Sequence, residues 1–295
     1  MATTEQQLIA WSSPVSTTED EKCKRAISQI IEAIRNKFGS DVAIFLQGSY
    51  ENNTNVRKDS DVDIVVRHDG YFYYDLQRLN DHDRQAYEAS INPGNYSFNQ
   101  LKEDVHNALI AIFGSDAKRR NKCIEVFGNS YRITGDVVPC FVHKRFATLT
   151  TTEVEGIQFY SDTGTKIISF PKQHYQNGVT KTESTGRMYK RIVRILKVIK
   201  NNLIDSGKIT EELASSFFIE CLVYNVPNEQ FIVGNYTQTL KNVITKIYND
   251  MGDLTVANKY VEVSGYKWLF GSDAKRPPAN GREFMLKCWQ YAELK

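Results

Sequence analysis

The sequence has no apolar run approaching the length of a bilayer span. Its opening, MATTEQQLIAWSS, lacks the basic start and apolar stretch of a secretory leader. These absences lead us to expect a cytoplasmic protein with no membrane anchor. Net charge is also small: Lys and Arg exceed Asp and Glu by two, so affinity for a polyanion would have to come from a local patch. Cysteine is sparse. Cys23, Cys123, Cys140, Cys221 and Cys288 are odd in number, widely spaced and form no Cys-x-x-Cys pair. That pattern suits buried thiols in a reducing compartment and gives no sign of zinc. There is no internal repeat and no low-complexity tract. What remains is an ordinary globular composition over 295 residues, enough for one large lobe or two closely packed ones.

The stretch from Asp41 to Val66, DVAIFLQGSYENNTNVRKDSDVDIVV, carries the strongest chemical signal. Val42 to Leu46 is an apolar run of strand length, broken abruptly by Gly48-Ser49. A polar loop through Thr54 and Arg57 follows, then a second strand opening with Asp61-Val62-Asp63-Ile64. Side chains alternate along a strand, so Asp61 and Asp63 point the same way. Adjacent carboxylates repel unless a cation lies between them, and Mg²⁺ takes carboxylate and phosphate oxygens. Glycine at 48 allows close backbone approach to a ligand, and Ser49 offers a hydroxyl and an N–H to a phosphate oxygen. Alone, a Gly-Ser is usually a turn and an Asp-x-Asp a solvated strand end. In this order, between two apolar strands, they read as a metal-dependent nucleotide site.

Elsewhere the first half mixes helices and strands. Residues 17 to 38 read as a helix with a Thr18–Glu21 capping box and an apolar face from Cys23 to Phe38, stopped by Gly39. A second capped helix runs from Ser97 and Gln100 to Gly114. His82, between Asp81 and Asp83, reads as solvated surface, because adjacent residues on a helix do not face one another. Cys123 to Phe127 and Tyr131 to Phe141 read as a hairpin across Gly128-Asn129. Asp136 lies inside its second strand, among residues that favour burial; a hydrogen-bonded core Asp is the plain reading, and a third metal ligand the one favoured here. Another hairpin spans Glu153 to Phe170, turning at Asp162-Thr163-Gly164. Residues Ser169 to Lys181 read as an extended linker, with Pro171 and Gly178 barring a long helix.

From Thr185 onward the chain turns helical. Met188, Ile192, Ile195, Leu196, Ile199 and Leu203 give one apolar face of a long helix ending near Gly207. Further helices are expected over Glu211 to Asn225, Thr237 to Met251 and Asn280 to Leu294, the last capped by Asn280. The change of pattern divides the chain into lobes of residues 1–170 and 171–295.

Gly48-Ser49 followed by Asp61-x-Asp63 resembles the signature of the DNA polymerase β-like nucleotidyltransferases. The wider wording, GSYENNTNVRKDSDVDIVV with DVVPCF and PKQHYQNG, resembles the bacterial CD-NTases (cGAS/DncV-like, CdnE-like clade), relatives of cyclic GMP-AMP synthase and oligoadenylate synthetase. The resemblance implies an α+β fold, with a catalytic lobe of mixed sheet and helices beside a helical lobe, and substrate in a crevice between them. It implies a cyclic di- or trinucleotide signal made from nucleoside triphosphates in anti-phage defence and sensed by a separate effector protein. In that reading Asp61, Asp63 and Asp136 hold a pair of Mg²⁺ ions, with Mn²⁺ able to substitute, and Gly48 and Ser49 cradle the donor phosphates. Lys181 and Lys197 are candidates for the triphosphate, and Tyr224 for stacking on a base or simply for core packing. His174 is given a structural or substrate-positioning role, since an activated hydroxyl needs no histidine base.

Relatives of this clade that incorporate uridine carry Asn where Ser169 stands, before Phe170-Pro171. An amide presents donor and acceptor together to a pyrimidine, which favours purine substrates, ATP and GTP, here. Finally, Arg187, Lys190, Arg191, Arg194 and Lys197 fall on one arc of the long helix, opposite its apolar face. The plain reading is a solvated face; the functional one, prompted by the resemblance, is a surface for an activating structured RNA. Two alternatives stay open: transfer of a nucleotide to a protein, antibiotic or RNA end, and a catalytically silent RNA-binding sensor.

Overall fold

The structure, a computed structural model, describes residues 3–57, 61–271 and 276–293. The chain forms two compact units, each built from discontinuous segments. One contains residues 17–48 and 61–171; the other contains the N-terminal segment up to Ser16, the segment opening at Ser49 and the chain from Lys172 onward. The architecture is α+β. Among the described residues no helix is long and apolar enough to cross a membrane.

The first unit is a seven-stranded mixed sheet with helices. Its strands are β1 (Val42–Gln47), β2 (Val62–Asp75), β3 (Ala117–Arg119), β4 (Ile124–Val126), β5 (Gly135–Phe146), β6 (Thr152–Tyr160) and β7 (Lys166–Ser169). β1 pairs antiparallel with β2, β2 parallel with β5, and β5 antiparallel with both β4 and β6. The central residues of β2, Ile64, Val65 and Val66, are fully buried, which explains their unbroken apolar run rather than alternation. Helix α2 (Thr17–Phe38) and helix α5 (Phe98–Phe113) pack on the sheet and on one another. At Gly135 a Cβ would stand 2.6 Å from Ile30 Cδ1, so α2 lies close over the start of β5. Ser97 and Gln100 form the expected capping box of α5, and Gly114 ends it with φ +55°. Helix α4 (Asp81–Ser90) carries His82 on solvent, its side chain 93% exposed.

The second unit is helical: α1 (Glu5–Trp11), the short α3 (Gly48–Glu51) at its boundary, α6 (Pro171–Ser184), α7 (Met188–Asp205), α8 (Ser216–Tyr224), α9 (Tyr236–Asp250), α10 (Leu254–Ala257) and α11 (Pro278–Ala292). Its core gathers Leu8 of α1 with apolar residues of α7, α8, α9 and α11. Helix α7 is its axis and is buried nearly all round, including Lys190, Arg194, Lys197 and Lys200.

Several local expectations need correcting. Residues 171–184 form α6, not an extended linker: Pro171 is the first residue of the helix, where its missing N–H is no loss, and Gly178 lies buried against the helical core. The 123–141 hairpin forms, but β5 begins only at Gly135; Asn129 Oδ1 accepts from the amides of Tyr131 and Arg132 (2.8 and 3.0 Å) and holds a longer loop. Helix α2 begins at Thr17, which places Thr18 inside the helix rather than at its cap. Helix α8 starts at Ser216 instead of Glu211, with Ser215 as its cap. In α11 Asn280 is interior to the helix, and the predicted last residue, Leu294, lies outside the described residues.

Candidate active site

The pairing of β1, β2 and β5 assembles the acidic end of the sheet. In the β1–β2 register Gln47 stands opposite Asp63, and in the β2–β5 register Asp63 stands beside Asp136. Register partners on neighbouring strands project from the same face, so the two carboxylates are lateral neighbours. Gly48, immediately after β1, has φ +71°, and a Cβ there would lie 1.9 Å from Asp63 Oδ2. Only glycine therefore fits over that carboxylate. Asp61 lies exposed just before β2, and Asp63 is half-buried. Ser49 opens the next segment, where its carbonyl accepts from the Thr54 amide at 2.9 Å.

Asp136 is half-buried and its Oδ1 accepts a hydrogen bond from Cys123 Sγ at 3.3 Å. Burial raises its carboxyl above the ordinary range; the Cys123 contact opposes that, Glu125 adds to it and Arg120 offsets it. The Cys123 thiol is itself pushed up to about 12 by burial and by Asp136. Glu125 is paired with Asp136 across β4 and β5, and bonds Arg120 at 2.7 Å. It went unremarked in the sequence, although its place between buried Ile124 and Val126 puts it on the opposite face from them, as the strand period requires. As the side chains stand, no three Asp, Glu, His or Cys among the described residues converge to metal-binding distance. Asp63 and Asp136 nonetheless share one edge and one face. An all-carboxylate donor set is one that hard divalent cations favour.

The other candidates are dispersed. Ser169 ends β7, two strands from β5 through β6. In the helical unit Lys181 donates to the Val226 carbonyl, and its Nζ lies 5.9 Å from the centre of the Tyr224 ring. Burial lowers its ammonium pKa. Tyr224 is half-buried, meeting Tyr189 edge-on at 6.2 Å. Lys197 is 1% exposed and donates to the Thr54 carbonyl at 2.9 Å. His174 is buried, its Nε2 3.0 Å from Glu220 Oε1.

The basic arc of α7 is not a solvated face. Arg187 is exposed and Arg191 half-buried, bonding the Tyr236 hydroxyl at 2.9 Å. Lys190 is buried near the Tyr175 ring. Arg194 is 5% exposed and donates to the carbonyls of Ser12 and Asn53; burial, with Arg191 beside it, lowers its pKa to about 10. Charges spent on main-chain oxygens inside the unit do not offer an RNA-binding surface.

Sequence comparison agrees with this architecture. Residues 27–122 match the nucleotidyltransferase domain, and residues 176–293 match the cGAS/DncV-like nucleotidyltransferase C-terminal helical domain. The cyclic dipurine nucleotide synthase of Elizabethkingia meningoseptica is 59% identical over 97% of each chain. The cyclic dipyrimidine nucleotide synthase CdnE of Cecembia lonarensis is 36% identical over 99% of each. The structure of the E. meningoseptica CdnE cyclic dinucleotide synthase with GTP and Apcpp superposes with a TM-score of 0.83 at 56% identity, covering 98% of each chain. Fold and matched domains define a nucleotidyltransferase. The chain belongs to the CD-NTase family and resembles CdnE-type members over nearly its whole length.

Proposed function

We propose that this enzyme joins ATP and GTP into a cyclic dipurine nucleotide, with Asp61, Asp63 and Asp136 as the catalytic carboxylates. The observation that carries the reading is the seating of Gly48 over Asp63 with Asp136 in register beside it. In each of two transfers a ribose hydroxyl oxygen bonds to an α-phosphorus, its proton is lost, and the bond to pyrophosphate breaks. The three aspartates would hold a pair of Mg²⁺ ions, or Mn²⁺ in their place; bound there, the metal supplies charge neutralisation at the triphosphate and activation of the hydroxyl. The protein's part is positioning. Gly48 leaves room for the donor phosphates and Ser49 offers them a hydroxyl. Lys181 and Tyr224, side by side in the helical unit, are assigned to nucleotide contact as a cation and a base-stacking ring.

Purine choice is supported by the dipurine relative at 59% identity and by the presence of GTP in its family structure. Ser169 fits it, because a short hydroxyl cannot present a donor and an acceptor to a pyrimidine edge at once. We place the enzyme in the cytoplasm and its product with a separate effector in anti-phage defence. Incubating the protein with equimolar ATP, GTP, CTP and UTP and Mg²⁺, then treating with phosphatase, tests the reading. A resistant product containing only adenine and guanine is expected. Uridine in the product would overturn the base assignment, and absence of any resistant product would overturn the synthase reading.

A further inference from the structure

The loop after Gly48 belongs by its contacts to the helical unit, and its hold there centres on one residue. Thr54 is fully buried. Its amide donates to the Ser49 carbonyl at 2.9 Å, closing the turn that Ser49 begins. Its carbonyl accepts from Lys197 Nζ of α7 at 2.9 Å, and its hydroxyl donates to Glu220 Oε2 of α8 at 3.3 Å. The other oxygen of Glu220 meets His174 Nε2 of α6 at 3.0 Å, so three helices converge on this point. Next to it Asn53 is left-handed, φ +52°, and its carbonyl accepts from Arg194.

Burying Lys197, Arg194 and Glu220 beneath a loop is costly, and for plain cohesion an apolar side chain of similar size serves as well or better. What charged, directional contacts add is a single fixed position. We propose that Thr54 is a clamp, and that Lys197 and Glu220 are positioning residues which set the place of Ser49 and hence the affinity for the donor triphosphate. His174 holds the Glu220 carboxylate in the orientation that meets the Thr54 hydroxyl. This rests on the assignment of Gly48-Ser49 to the donor phosphates.

The test is titration of a non-hydrolysable ATP analogue into the full-length protein, with steady-state kinetics and thermal melting alongside. Thr54→Val keeps the shape of the side chain and removes its hydroxyl. Loss of that buried contact should weaken analogue binding and raise KM about tenfold, with kcat changed by less than about threefold. Thr54→Ser should restore both to within about twofold of the parent. Glu220→Gln, which keeps the size and a hydrogen bond but not the charge, should weaken binding about threefold, and it decides the matter if Thr54→Val does not fold. If the parent protein binds the analogue and the variants bind it equally, with only their melting temperature lowered, the contacts are cement and the inference is wrong. If the parent itself does not bind the analogue, the donor-site assignment fails instead.

Discussion

A methyl group at position 48 would stand 1.9 Å from Asp63 Oδ2 on a backbone with φ +71°, so Gly48→Ala meets a clash and an unfavourable conformation together. We expect it to lose about 1–3 kcal/mol of stability from the backbone alone, read by chemical denaturation, and nearly all product formation. Asp136→Asn should separate those two effects. Burial, reinforced by Glu125, holds the native Asp136 carboxyl above its ordinary 3.8. The folded protein therefore binds this proton more tightly than the unfolded chain, and the associated stability is present below 3.8 and lost as pH rises through the native value. Asn cannot ionise and avoids that loss. Without added metal, Asp136→Asn should melt no lower than the parent near neutral pH, while turnover falls by orders of magnitude; a clearly lower melting point would contradict this account of Asp136. Gly48, Asp61 and Asp63 were legible because one short stretch contains them. That Asp63 sits beside Asp136 was not, since it depends on parallel pairing of strands distant in sequence, and Glu125 enters only through that pairing.

At the scale of elements, two readings failed for one reason: local pattern was judged without its packing partners. Pro171 and Gly178 would each weaken a helix interior, yet in α6 one stands at the first position and the other at a buried site with room to spare. A Cβ on Gly178 would meet only Lys190 Cε at 3.8 Å, an ordinary contact. Gly178→Ala should accordingly raise stability by about 0.5–1 kcal/mol, and a drop in melting temperature would show that α6 needs the glycine for another reason. In α7 the apolar stripe lies where its periodicity places it, but the opposite face, expected to be open to solvent or to RNA, is mostly covered. Long Lys and Arg side chains can lie along apolar surface and still reach an acceptor, and here Arg194 and Lys197 reach carbonyls of the loop through Thr54. Periodicity reports where apolar residues are, and says nothing about what covers the remainder.

At the scale of the molecule, the N-terminal segment serves a core built mostly from the other end of the chain. Glu5 caps α9: its carboxylate accepts from the amides of Tyr236 and Thr237 (2.6 and 2.8 Å) and from the Thr237 hydroxyl. Burial alone would raise the Glu5 carboxyl, but these hydrogen bonds hold it below its ordinary 4.5. Its contribution is thus present above 4.5 and is lost as pH falls through the lower native value. Glu5→Gln should cost about 1 kcal/mol near neutral pH, with the gap from the parent narrowing in acid. A gap that is constant with pH would mean that the carboxylate charge is not what α9 uses.

The same tie between the two ends bears on biosynthesis. The Thr3 amide donates to the Ala292 carbonyl at 3.1 Å, Trp11 packs near Tyr291, and Leu8 is wholly buried in the helical core. A ribosome delivers α1 well before α11, so Leu8 and Trp11 have no finished binding surface until α11 has been made. The sheet, whose last strand ends at Ser169, has all its parts much earlier and can close co-translationally. The helical unit can close only once α11 has been made, and until then α1 lacks the partner that buries Leu8 and is open to chaperones or other nascent chains.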